Sequence, residues 1–135
     1  MKITGLSHIA IAVPSVDQAL AFYRDVLGFE LERIEAVPSE GMKAAMLEKN
    51  GLTLEVMEPT NPQGAVARFV DKRGGGLHHF TLTVENLDEA IAECRAKGLQ
   101  FVEPSPRPGS PSRPGKRIAF LHPKSTGGVL IELTE

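Results

Sequence analysis

The chain carries an internal duplication, and that duplication limits its fold more than any other feature. GLSHIAIAVPSVDQALAFYR (Gly5 to Arg24) recurs 71 residues later as GLHHFTLTVENLDEAIAECR (Gly76 to Arg95). Gly, Leu, His, Val, Asp, Ala, Ala and Arg coincide without a gap, and His8 falls on His79. The ends of the halves match at a slightly different offset: AMLEKNGLTLEVMEP resembles AFLHPKSTGGVLIELTE, and Glu55 falls on Glu132. Two copies are too few to stack as a solenoid. At 135 residues the chain is one domain assembled from two half-size modules, neither a complete core by itself.

Each copy predicts the same elements. Ile9, Ile11 and Val13 alternate with Ala10 and Ala12 as a strand does. Ser15 then starts a helix as a cap, with Gln18 three positions on. Val16, Ala19, Leu20, Tyr23 and Leu27 follow the helical period, and Gly28 stands where a C-terminal cap belongs. Copy two runs Phe80-Leu82-Val84, then Asn86 as cap, then a stripe of Leu87, Ala90, Ile91 and Cys94 ended by Gly98. Strands are expected over residues 29–36, 43–48 and 52–57, and again over 100–103, 117–121 and 129–133. The pattern is βαβββ twice, an α+β architecture. Module one spans about residues 4–58, a connecting helix about 61–73 and module two about 74–135. Gly74-Gly75-Gly76 reads as a flexible entry to the second module.

Strand alternation then separates two faces. His8 lies opposite Ile9, Ile11 and Val13, and His79 lies opposite Phe80, Leu82 and Val84. Glu55 lies opposite Leu54 and Val56, and Glu132 lies opposite Ile131 and Leu133. Each repeat thus supplies one His and one Glu on the sheet face turned away from its helix. If the sheets curve around a shared cavity, two imidazoles and two carboxylates converge, a set that balances a divalent cation. In an octahedral site they leave two positions for water or a chelating substrate. His78 shares the face of Phe80 and Leu82 and reads as structural. His122 reads as a turn residue, and Cys94 as core.

Composition removes several classes. The net charge of −2 gives no support to nucleic-acid binding through bulk charge. One cysteine excludes an internal disulfide and a Cys-rich zinc module, and fits a reducing compartment. MKITGLSHIA lacks the apolar run of a secretory signal, and no stretch is long and apolar enough to span a membrane. The expectation is a cytoplasmic chain with neither nucleic acid nor membrane as partner.

The paired modules resemble the vicinal oxygen chelate superfamily. HIAIAVPSVDQALAFYRDVLGF, LEVMEP, GLHHFTLTVENLDEAI and above all FLHPKSTGGVLIELTE resemble its methylmalonyl-CoA epimerases over nearly the whole chain. The resemblance implies metal ligands at His8, Glu55, His79 and Glu132, with Co, Mn, Ni, Zn or Mg as the ion, and a homodimer. It also implies inversion of C2 of methylmalonyl-CoA by 1,1-proton transfer through a metal-stabilised enolate. Inversion needs a base on one face and an acid on the other. Glu132 is the residue we expect to fill one role. The other is unassigned: Glu40, Lys43 and Glu48 are near in sequence, and a metal-bound water serves equally. Some epimerases carry a Glu three residues after the Gly that precedes the third strand; here that Gly is Gly41 and the position holds Ala44. The loop 104–116 is slightly longer than usual for the family. The acyl-CoA phosphates have Arg107, Arg113, Lys116, Arg117 and Lys124 within reach, with Lys116 and Lys124 the substrate-binding candidates.

Two other readings use the same fold. A glyoxalase I type lyase would place the His/Glu/His/Glu set on a thiol hemithioacetal. A small-molecule-binding member would use the cavity without metal and would not need the four ligands.

Overall fold

Two side-chain caps set the frame of both repeats. Ser15 Oγ accepts from Gln18 N at 3.3 Å and starts α1 (Val16–Tyr23). Asn86 Oδ1 accepts from Glu89 N at 3.0 Å and starts α3 (Leu87–Ala96). Each answers one of the free N–H groups of a first helical turn. The computed structural model describes residues 1–135, and in chain order the elements are β1 (Ile3–Ala12), α1, β2 (Glu30–Val37), β3 (Met42–Lys49), β4 (Leu52–Pro59), α2 (Ala65–Arg73), β5 (Gly76–Val84), α3, β6 (Phe101–Pro108), β7 (Arg117–Leu121) and β8 (Ile131–Thr134). This is βαβββ twice with α2 between the copies. No helix is long and apolar enough to cross a membrane.

The chain forms two compact units. The contiguous unit is residues 8–78; the composite unit joins residues 1–7 to 79–135. Both divisions fall inside strands. The start of β1 belongs with β5: Thr4 Oγ1 donates to Thr83 O at 3.2 Å and Glu85 N to Lys2 O at 3.0 Å.

In the contiguous unit the strand order is β2-β3-β4-β1, with β1 and β4 parallel and the rest antiparallel. One face packs on α1 through Val16, Leu20, Ala45, Leu47 and Val56. The other face is also covered. Ala10, Ala12, Met42, Ala44 and Met57 pack with Val66 of α2, and Phe69 and Val70 lie against them. Ala10 and Ala12 are 0% exposed, so the face read from sequence as merely non-apolar is a second core, built from alanines small enough to admit a helix.

In the composite unit β5, β8, β7 and β6 follow in that order, β5 and β8 parallel. α3 buries Leu87, Ala90, Ile91 and Cys94 against Phe101, Ala119, Leu121 and Leu133. Removing the Leu87 side chain would cost roughly 2–5 kcal/mol. Burial also pushes the Cys94 thiol up.

Three expectations change. β6 runs through a proline-rich stretch to Pro108, so the expected loop from Pro104 begins as strand, broken by an irregularity between Val102 and Arg107. The Gly74–Gly76 run is not a loose joint. Gly74 caps α2 in the left-handed region, and a Cβ on Gly75, at φ +118, would stand 2.8 Å from Ala12 O. Leu27, assigned to the α1 stripe, lies beyond the end of the helix and is exposed.

Candidate active site

Each unit sets one imidazole beside one carboxylate, and the same local logic does it twice. β1 and β4 run parallel with Ala10 opposite Glu55. His8, two residues before Ala10, shares its face, and Nε2 stands 3.7 Å from Glu55 Oε1. In the composite unit β5 and β8 run parallel with Thr81 opposite Glu132. His79, two residues before Thr81, brings Nε2 to 3.0 Å from Glu132 Oε2. The side chains are 11% and 13% exposed in the first pair and 3% and 10% in the second. His79 also sits edge-on to Phe120, ring centroids 5.1 Å apart, and Phe120 is the cross-strand partner of Glu132.

These pairs fit a divalent cation. Carboxylates so sheltered are costly unless a positive charge answers them. Neutral imidazole nitrogen and carboxylate oxygen are the donors that Zn, Co, Ni and Mn accept. With bonds of about 2.1 Å, adjacent donors of an octahedral ion stand about 3.0 Å apart and those at wider angles up to about 4 Å. The separations of 3.0 and 3.7 Å lie in that range.

The remaining sequence candidates fall elsewhere. Lys116 and Lys124 are exposed, Lys116 in the β6–β7 turn and Lys124 in a short turn where its N–H donates to His122 Nδ1 at 3.1 Å. Arg117 is held by Asp88 and Glu135 at 2.9–3.1 Å, which raises its own pKa and lowers both carboxyls, so it is tied up in structure. Lys43 pairs with Glu58 at 3.2 Å, and Glu58 Oε1 accepts from Val16 N at the start of α1. Glu48 Oε1 accepts from Gly51 N in a turn. His78 packs edge-on to Phe69, centroids 4.8 Å apart.

Two residues on the His/Glu faces were not placed there by sequence reasoning, which left Glu35 unnamed and took Arg107 only as a candidate for the acyl-CoA phosphates. Glu35 on β2 pairs in register with Ala44, which pairs with Met57; its face is therefore that of Met57, Glu55 and His8. Arg107 on β6 pairs with Ile118, which pairs with Thr134, on the face of Glu132. Its guanidinium lies 5.0 Å from the Phe120 ring centroid.

Comparison with known proteins decides the family. Residues 7–120 match the Glyoxalase/Bleomycin resistance protein/Dioxygenase superfamily. The mitochondrial methylmalonyl-CoA epimerase of Mus musculus is 32% identical over 135 residues, 99% of this chain and 74% of that protein. The chain belongs to the methylmalonyl-CoA epimerase family. Solved structures of that family agree with the fold. The Mycobacterium tuberculosis epimerase has a TM-score of 0.90 at 37% identity, covering 98% of this chain and 88% of that one. A Streptomyces coelicolor epimerase variant in complex with 2-nitronate-propionyl-CoA has a TM-score of 0.89 at 37% identity, covering 98% and 97%.

Proposed function

We infer that this chain is an isomerase that epimerises (2R)- and (2S)-methylmalonyl-CoA by 1,1-proton transfer. The observation that carries the reading is the sheltered His–Glu pair, present twice at matched positions in a member of this family. His8, Glu55, His79 and Glu132 would hold one divalent ion, drawn from Co, Mn, Ni, Zn or Mg. Such an ion supplies positive charge beside the thioester oxygen, where negative charge builds as the C2 proton leaves.

The chain's own residues do the rest. Glu132 takes or returns the C2 proton from one side. His79, 3.0 Å away and braced edge-on by Phe120, holds that carboxylate in position. Thr81, opposite Glu132 in the ladder, and Thr134, two residues on, are both buried and flank it with small polar groups. Lys116 and Lys124, both exposed, are the candidates for the acyl-CoA phosphates. A homodimer is the assembly expected in solution, checked by sedimentation.

The test is deuterium uptake at C2 of methylmalonyl-CoA in D2O, run beside turnover of a methylglyoxal–thiol adduct. Protein loaded with Co or Mn is expected to exchange C2 and interconvert the epimers, to lose this with a chelator and to regain it with metal. Turnover of the hemithioacetal with no exchange at C2 would assign the lyase reaction instead.

A further inference from the structure

Arg107 is a cation on the His79–Glu132 face of the composite unit, and the role described for that face does not employ it. It stands on β6, the edge strand of that unit, where a charged side chain ordinarily turns to water. Arg113 and Lys116, in the turn that follows, are exposed, whereas Arg107 is half-buried. The ladder explains where it goes. Arg107 lies opposite Ile118, and Ile118 opposite Thr134. Phe120, two residues on along β7 and so on the same face, lies opposite Glu132. The guanidinium turns along that face to cover the Phe120 ring, 5.0 Å from its centroid. The same ring meets His79 edge-on, with centroids 5.1 Å apart. One aromatic ring thus separates the guanidinium from the imidazole that stands 3.0 Å from Glu132.

Two features prepare this guanidinium to hold an anion. Nη1 donates to Val102 O at 3.4 Å and to Pro104 O at 3.3 Å, long bonds that steady one nitrogen of the fork. With the ring below it as well, the side chain has little freedom left to lose on binding. A guanidinium held in one plane presents parallel N–H donors that match the two oxygens of a carboxylate. Location then chooses between the anionic parts of an acyl-CoA. The phosphates lie at the far end of the pantetheine arm, many bonds from the reacting carbon. The malonyl carboxylate is bonded to C2 itself. With Glu132 meeting the C2 proton, a cation one ring away from its imidazole partner stands at the acyl end of the substrate.

We propose that Arg107 binds the free carboxylate carried on C2, and so selects 2-carboxyacyl thioesters over simple acyl thioesters. The proposal rests on the epimerase reading above. It separates Arg107 from Lys116 and Lys124, which remain the candidates for the phosphates. The carboxylate keeps its charge as the C2 proton leaves, so the contact is as strong before proton transfer as during it. Uniform binding of this kind lowers KM and leaves kcat nearly unchanged.

Malonyl-CoA and acetyl-CoA differ only in the carboxylate on C2, and they provide the test. Their affinities for the metal-loaded wild-type chain, Arg107→Met and Arg107→Gln are measured by calorimetry. Metal content and thermal midpoint are determined on each protein. Wild type should prefer malonyl-CoA. Both variants should bind it roughly 10–100-fold more weakly, the range for losing a charge-assisted hydrogen bond, with acetyl-CoA within about threefold of wild type. Metal content should not change. In turnover of methylmalonyl-CoA, KM should rise by a similar factor while kcat changes by less than about threefold. Equal weakening of both ligands would overturn the proposal. With the thermal midpoint unchanged it would assign Arg107 to the phosphates, and with a lowered midpoint to the packing of Phe120. Undiminished affinity for malonyl-CoA in either folded variant would overturn it too, and epimerisation by wild type would then leave the epimerase reading standing. A wild-type chain that exchanges neither epimer at C2 would overturn that reading and this inference with it.

Discussion

The two His–Glu pairs have the same origin and different surroundings. In the contiguous unit Glu55 lies between Ala10 and Met46, and the face below it is alanine and methionine packed under α2. In the composite unit Glu132 lies between Thr81 and Phe120, and the equivalent places hold Thr83 and Thr134. The imidazole–carboxylate separation is 3.7 Å in the first and 3.0 Å in the second. The donors were thus kept in both copies while their supports diverged. One half spent its inner face on a second hydrophobic core; the other kept it polar and braced its histidine with an aromatic ring. That division fits the roles assigned above, a firmly held proton-transfer group in the composite unit and a looser ligand pair in the contiguous one.

Removing the histidines tests this most severely. His79→Ala and His8→Ala should each weaken metal binding by more than about 100-fold, beyond what loss of a merely supporting residue costs. They should differ without metal. His79→Ala strands a carboxylate in the more enclosed pair and should destabilise the chain by up to about 3–5 kcal/mol; His8→Ala, beside the more open Glu55, should cost less. Calorimetric metal titration and urea unfolding of both variants give the comparison, and equal losses would remove the asymmetry.

The brace comes next. Phe120 is 8% exposed, so Phe120→Ala should cost about 3–5 kcal/mol and also lower metal affinity by freeing His79. Its repeat equivalent, Met46→Ala, should cost about 2–5 kcal/mol with a smaller effect on metal. If both variants change metal affinity alike, the ring is filling space and not orienting a ligand.

These neighbours mark what a sequence can and cannot convey. His8, Glu55, His79 and Glu132 were legible because their strands alternate without a break and because the repeat doubles each signal. The faces of Glu35 and Arg107 were not, because each lies beyond a strand irregularity. Two residues, Leu31 to Arg33, span one step of β3, which switches the face of every residue after it. In β6 the break falls between Val102 and Arg107, amid prolines that argue against a strand. Period-two reasoning fails wherever such a slip is hidden. The second core under α2 was hidden differently: Ala10 and Ala12 carry too little hydrophobic signal to announce a buried face, yet it is their smallness that lets a helix approach.

The entries to the two repeats differ as well. Gly5 has nothing within 4 Å of a would-be Cβ, whereas Gly75, next to its counterpart Gly76, combines a positive φ with close approach to Ala12 O. Gly75→Ala should therefore destabilise by about 1–3 kcal/mol, while Gly5→Ala should be nearly neutral in the same denaturant melt. Similar melts would mean that the chain relaxes around the second entry, as a flexible joint would.

The smallest expected effect concerns how each unit ties its sheet to its helix. In the contiguous unit Lys43 meets Glu58, which caps α1 directly through Val16 N. At the equivalent place Arg117 bridges Glu135 to Asp88 in the first turn of α3. Hydrogen bonds from Arg117 hold both carboxyls below the usual carboxylate range. A depressed folded-state pKa contributes stability that is fully present above the unfolded value, near about 4, and is lost as pH falls through the folded value. Acid unfolding monitored by circular dichroism should therefore begin at a higher pH in Arg117→Met than in wild type, and the stability difference between them should be fully present at neutral pH and shrink as pH falls through the folded values. The contribution is screened because these groups face water, so raising salt should shrink it. Lys43→Met, which breaks one ion pair where Arg117→Met breaks two, should destabilise less in urea at neutral pH. The reverse order would place the stronger tie in the contiguous unit.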